Sequence, residues 1–150
     1  MFKTRLLSGI ILVIVALITI ISGGPVLFMT LLCVSVIGMQ ELYKACGVRK
    51  EKFELLEITG YVGILAYYLS VAFLPEKYHL LAVIFGLLLL MFVYVFTYPR
   101  YQTNQIFAGF LGIVYVGVML SYIYQTRMLD GGVYLVWLIF LCSWGCDTCA

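Results

Sequence analysis

Six apolar runs, each close to the length a helix needs to cross a bilayer, follow one another through the chain with only short polar breaks between them. A spanning helix takes about 20 apolar residues, within a range of roughly 17 to 25. Inside hydrocarbon every backbone N–H and C=O must find its partner within the protein, which leaves helices or a closed barrel. Runs of this length favour helices. Hydrophobic residues make up 65% of the 150 and charged residues 11%, so nine Lys/Arg and seven Asp/Glu cannot clothe a water-soluble core. The fold expected is an all-α, polytopic transmembrane helical bundle of about six spans. It forms a single transmembrane domain over 1–150, with spans near 6–21, 26–43, 58–74, 80–97, 106–124 and 133–149. A net charge of +2 gives no reason to expect a nucleic-acid partner.

Lys3 and Arg5 precede the first run. The run lacks a small-residue cleavage pattern and passes through Ser22-Gly23-Gly24-Pro25 into a second run, so it reads as a retained helix rather than a signal peptide. The glycines allow a reversal and Pro25 suits the first turn of the next helix, which makes a helical hairpin. Between Glu41 and Glu57 the chain turns polar. Lys44, Arg49, Lys50 and Lys52 interleave with Glu41, Glu51, Glu54 and Glu57, the pattern of a solvated connection; Glu41, at the edge of the bilayer, is a weak candidate to face a site. His79, in the short loop after Pro75, has no neighbouring Cys or Asp and reads as a surface imidazole. Ala108, Gly109, Gly112 and Gly117 give the fifth segment a small-residue face suited to close packing, either in the interior or at a homodimer interface. Tyrosines near the segment ends form an aromatic belt. Of five cysteines, Cys146 and Cys149 make a C-x-x-C without a second pair, and the structural reading outweighs a redox or zinc role.

Lys and Arg divide unevenly between alternate loops. Lys3, Arg5, Lys44, Arg49, Lys50, Lys52 and Arg100 fall on one side, Lys77 and Arg127 on the other. The positive-inside rule then places the protein in the cell membrane with the N-terminus, the charged connection and the Arg100 loop cytoplasmic, and with six spans the C-terminus also. Asp147 therefore emerges on the nucleotide side. An acid this close to a long apolar run is a functional candidate by default, set against a bland account as a helix cap or a carboxylate in surface water.

Trp144-Gly145-Cys146-Asp147-Thr148-Cys149-Ala150 resembles the W-x-x-D-[ST]-x-A segment of bacterial CDP-diacylglycerol synthases, the phosphatidate cytidylyltransferases. The opening Lys3-Thr4-Arg5-Leu6-Leu7-Ser8-Gly9 and the Glu41-Leu42-Tyr43 stretch are similar to that family as well. The resemblance implies transfer of a cytidylyl group from CTP to phosphatidic acid, a membrane lipid, giving CDP-diacylglycerol and pyrophosphate with Mg2+ as cofactor. Such chemistry brings anions together and needs cations to neutralise them. By the same resemblance Asp147 is the catalytic and metal-linked acid, with Thr148 as hydroxyl support. A hard magnesium ion suits a carboxylate and phosphate oxygens. The family's basic and acidic signature, near H-G-G-x-x-D-R-x-D, is absent from these residues, so the chain resembles the N-terminal portion of the enzyme and is expected to be inactive alone. The rival readings are a non-enzymatic multi-pass scaffold or assembly subunit and, ranked lowest, a small transporter, since the spans carry almost no midplane charges. The coding sequence after Ala150 separates them: it either continues into the missing signature or stops.

Overall fold

The computed structural model describes residues 13–48 and 54–149, apart from the side chains of Trp144, Asp147 and Thr148. Lys3, Arg5, the start of the first apolar run, and Arg49, Lys50, Glu51 and Lys52 of the charged connection lie outside the described residues.

The expected all-α class holds: the described residues contain helices and turns and no strand. The helices are α1 (Val13–Ser22), α2 (Gly24–Ala45), α3 (Leu55–Phe73), α4 (His79–Phe96), α5 (Thr103–Gly112), α6 (Met119–Arg127) and α7 (Gly132–Cys149). A 3-10 turn, Glu76–Tyr78, leads into α4, and a π-helical segment, Ile113–Val118, joins α5 to α6. Four stretches are long and apolar enough to cross a membrane: Gly24–Ala45, Leu55–Phe73, Glu76–Phe96 and Thr103–Arg127. They are what a membrane protein requires. Val13–Ser22 and Gly132–Ser143 are apolar but shorter over the residues described.

The chain forms two compact units, one from Met1–Leu31 with Tyr122–Ala150 and one from Leu32–Ser121. In the first, a single residue separates α1 from α2. Gly23 has φ +58° and Gly24 φ +48°, left-handed values that a Cβ would oppose, and Pro25 fills the first turn of α2. Arg127 closes this corner by donating from Nε to the carbonyl of Ile20 at 3.2 Å, a cation against the C-terminal end of α1. Phe28 and Tyr124 pack edge to face beside it, with ring centroids 5.1 Å apart.

In the second unit the helices sort by polarity against the intuition of soluble proteins. α3 carries Glu57, Thr59, Ser70, two glycines and three tyrosines, and it is the most buried of the spanning helices. α4 is almost wholly apolar and buries only Gly86 and Leu90. Hydrocarbon outside the protein accepts α4's leucines without cost, whereas polar side chains are retained where other helices can bond them. Close approach then depends on glycine. A Cβ at Gly63 would meet Ile113 Cδ1 at 2.6 Å and the Gly86 backbone at 3.6 Å, so α3 and α4 touch backbone to backbone beside the Ile113 side chain. The small face of the fifth segment is used in the interior: Ala108, Gly109, Gly112 and Gly117 are all buried, against Leu90, Met39 and Ile64 of the neighbouring helices.

The π segment has a partner. Met119 N–H donates to Val114, five residues back, which widens the turn. Ser35 Oγ of α2 reaches the Val116 carbonyl at 3.4 Å and shares a 2.7 Å hydrogen bond with the Tyr68 hydroxyl. Beside it Ser121 Oγ stands 3.1 Å from the Tyr67 hydroxyl and donates to the Val118 carbonyl at 2.7 Å. These four side chains form a buried polar layer inside an otherwise apolar bundle.

Candidate functional site

Asp147 and Thr148 lie in α7, whose helix runs from Gly132 to Cys149 through all but the last residue of the terminal motif. By register, positions 144, 147 and 148 fall on one stripe of that helix. Asp147 stands in the last turn of α7, two residues before the helix ends at Cys149. The side chains of Asp147 and Thr148, expected as metal-linked acid and hydroxyl support, lie outside the described residues. Cys142, Cys146 and Cys149 are exposed thiols on the same helix.

Among the described residues no three His, Cys, Asp or Glu stand close enough together to hold a metal ion. The described residues supply no protein cage for the magnesium ion that the resemblance implies.

The expectation for Glu57 needs correction. It belongs to the first turn of α3, not to the solvated connection, and its residue exposure is 0%. The Tyr61 hydroxyl, one turn on, donates to Glu57 Oε1 at 3.2 Å, and the Tyr43 ring packs edge to face on Tyr61 with centroids 6.1 Å apart. A carboxylate suits this end of a helix, where the N-terminal dipole is positive. Around it the ends of α2 and α4 and the starts of α3 and α5 meet. Gln105 closes a capping box at α5 by accepting from Gln102 N–H at 3.0 Å, and its Nε2 donates to the Gly47 carbonyl at 3.2 Å. Val48 N–H in turn donates to the Tyr43 carbonyl. Glu57 escaped sequence reasoning because it closes a run of charges. The signal was its i,i+4 spacing to Tyr61, with Gly60 between them.

Glu41 faces no site; it is exposed and pairs with Lys44 Nζ at 2.7 Å, three residues on. His79 is less free than a surface imidazole: it is half-buried, its Nε2 lies 3.4 Å from the Leu74 carbonyl, and its ring stands edge-on to Tyr67 at 6.3 Å.

No curated protein and no solved structure matches the chain. The sequence profile of the cytidylyltransferase family matches residues 3–150, nearly the whole length, and so includes both the apolar helices and the terminal segment that carries Asp147. On that match, and with helices able to cross a bilayer beneath it, the chain belongs to the cytidylyltransferase family, the family of the CDP-diacylglycerol synthases.

Proposed function

We propose that this chain serves phosphatidate cytidylyltransfer: CTP and phosphatidic acid give CDP-diacylglycerol and pyrophosphate. The observation that carries the reading is the family match over residues 3–150, which ends on the W-x-x-D-[ST]-x-A segment. In the reaction a phosphate oxygen of phosphatidic acid attacks the α-phosphorus of CTP, and the bond to the β-phosphate breaks with release of pyrophosphate. Asp147 is the acid that faces the nucleotide and helps hold Mg2+, and Thr148 lends a hydroxyl to the same group. The bundle holds the lipid substrate in the plane of the membrane while the charged connection, the Arg100 loop and α7's motif face the cytoplasm, where CTP is found. The seven-to-two division of Lys and Arg between alternate loops supports that orientation.

These 150 residues do not carry the family's basic and acidic signature, so on their own they bind the membrane and do not turn over. The test has two parts. The purified chain in phosphatidic acid vesicles with labelled CTP and Mg2+ gives no CDP-diacylglycerol above background. Fusing the signature-bearing segment of a family member after Ala150 restores turnover, and Asp147→Asn in that fusion lowers kcat by about 100-fold or more, the scale of losing one charge-stabilising group. Full activity of the Asp147→Asn fusion removes Asp147 from the site, and turnover by the unfused chain refutes the need for the signature.

A further inference from the structure

The end of α3 remote from Glu57 carries a groove that the cytidylyltransfer reading does not use. About 570 Å³ lies open between α3, from Ala66 to Leu74, and the stretch from Tyr78 to Phe85. Ser70 and Tyr78 are its only polar side chains, and Ala66 and Ala82 keep it hollow. It lies between two helices able to cross a membrane, so the medium that reaches it is lipid. From Ala66 to Leu74 the groove is about 12 Å long at the α-helical rise of about 1.5 Å per residue. That is most of one leaflet, half of the roughly 30 Å hydrocarbon core, and too short to seat a crossing helix from another protein. Its mouth is charged on one side. Lys77 Nζ sits 5.0 Å above the ring of Tyr78, a lining residue, which holds the ammonium at the groove's edge. Glu76 shares the turn, so the position of this one ammonium, rather than a net positive field, provides the complement for an anion.

We propose that this groove is a binding site for an anionic phospholipid of the adjoining leaflet, with one acyl chain between α3 and α4 and the headgroup phosphate on Lys77. The site is separate from the residues assigned to catalysis and does not depend on that assignment.

The full chain in nanodiscs, with phosphatidylglycerol bearing a photoactivatable diazirine on one acyl chain, tests it. Labelling falls on residues 66–85 in preference to the other lipid-facing helices. Unlabelled phosphatidylglycerol competes about tenfold better than diacylglycerol, which lacks the phosphate. Ala82→Phe fills the groove and removes the preferential labelling, and Lys77→Gln abolishes the advantage of phosphatidylglycerol over diacylglycerol while leaving the position of labelling unchanged. Even labelling of all the lipid-facing helices of the unmodified chain overturns the proposal whatever the variants do. So does competition by diacylglycerol equal to that by phosphatidylglycerol, or a second copy of the chain captured through a photoreactive residue at position 85.

Discussion

Gly60 of α3 has no room for a methyl group, and the reason is one hydroxyl. A Cβ built there overlaps the Tyr43 hydroxyl, with Tyr43 Cζ at 2.8 Å and Met39 Cε at 2.9 Å behind it. The methionine end can swing aside, but the tyrosine cannot. Tyr43 is fully buried and its ring is held edge-on by Tyr61. Overpacking of this kind costs about 1–3 kcal/mol, and the better helix propensity of alanine returns about 1 kcal/mol. Because the overlap is with a held tyrosine, the upper part of that range applies, about 2–3 kcal/mol, and Gly60→Ala should destabilise the chain by about 1–2 kcal/mol net, roughly a tenfold shift in the folded-to-unfolded ratio. Removing the hydroxyl should cancel most of this. The Tyr43 hydroxyl has no hydrogen-bond partner among the described residues, so Tyr43→Phe is expected to be neutral or stabilising by up to about 1–2 kcal/mol. A double-mutant cycle, with helicity followed by far-ultraviolet circular dichroism during titration of detergent micelles with dodecyl sulfate, measures the coupling. A Gly60→Ala chain as stable as the parent, or one equally weakened with Phe at position 43, would refute the steric argument.

Three further outcomes follow from the polar contacts. Ser35→Ala removes a 2.7 Å hydrogen bond to Tyr68 and should cost about 0.5–1.5 kcal/mol, within the range for interhelical bonds in membranes; a cycle with Tyr68→Phe should show coupling of the same sign. Tyr61→Phe withdraws a donor from the buried Glu57 carboxyl and should cost about 1–3 kcal/mol, whereas a loss no larger than that of Tyr122→Phe, a half-exposed tyrosine, would argue against any role for the contact. Arg127→Ala frees the last carbonyls of α1 and should lower stability by about 1–2 kcal/mol, with faster amide hydrogen exchange at 20–23 as its local signature.

Hydropathy is a local and additive property of the sequence, and it was enough to reveal long apolar helices, the short corner at Gly23-Gly24-Pro25 and the membrane as solvent. The motif around Asp147 was legible for the same reason, being seven consecutive residues. Burial is different, because it depends on which helices become neighbours. Glu57 sits at the end of a charge run, and in the chain only its i,i+4 spacing to Tyr61 sets it apart from Glu54; the packing of α3 beneath Tyr43 and Tyr61 is what takes it out of water. Small residues announced that the fifth segment packs closely, yet the pairing of Gly63 with Gly86, and the seat of Tyr43 against Gly60, join positions far apart in sequence. The π segment likewise had no sequence mark, since its widened turn is supported by Ser35 from another helix. The sequence by itself determined the solvent, the helices and the family; the tertiary structure decided which polar groups leave the lipid and which glycines let helices touch, because those choices are made between residues that meet only after folding.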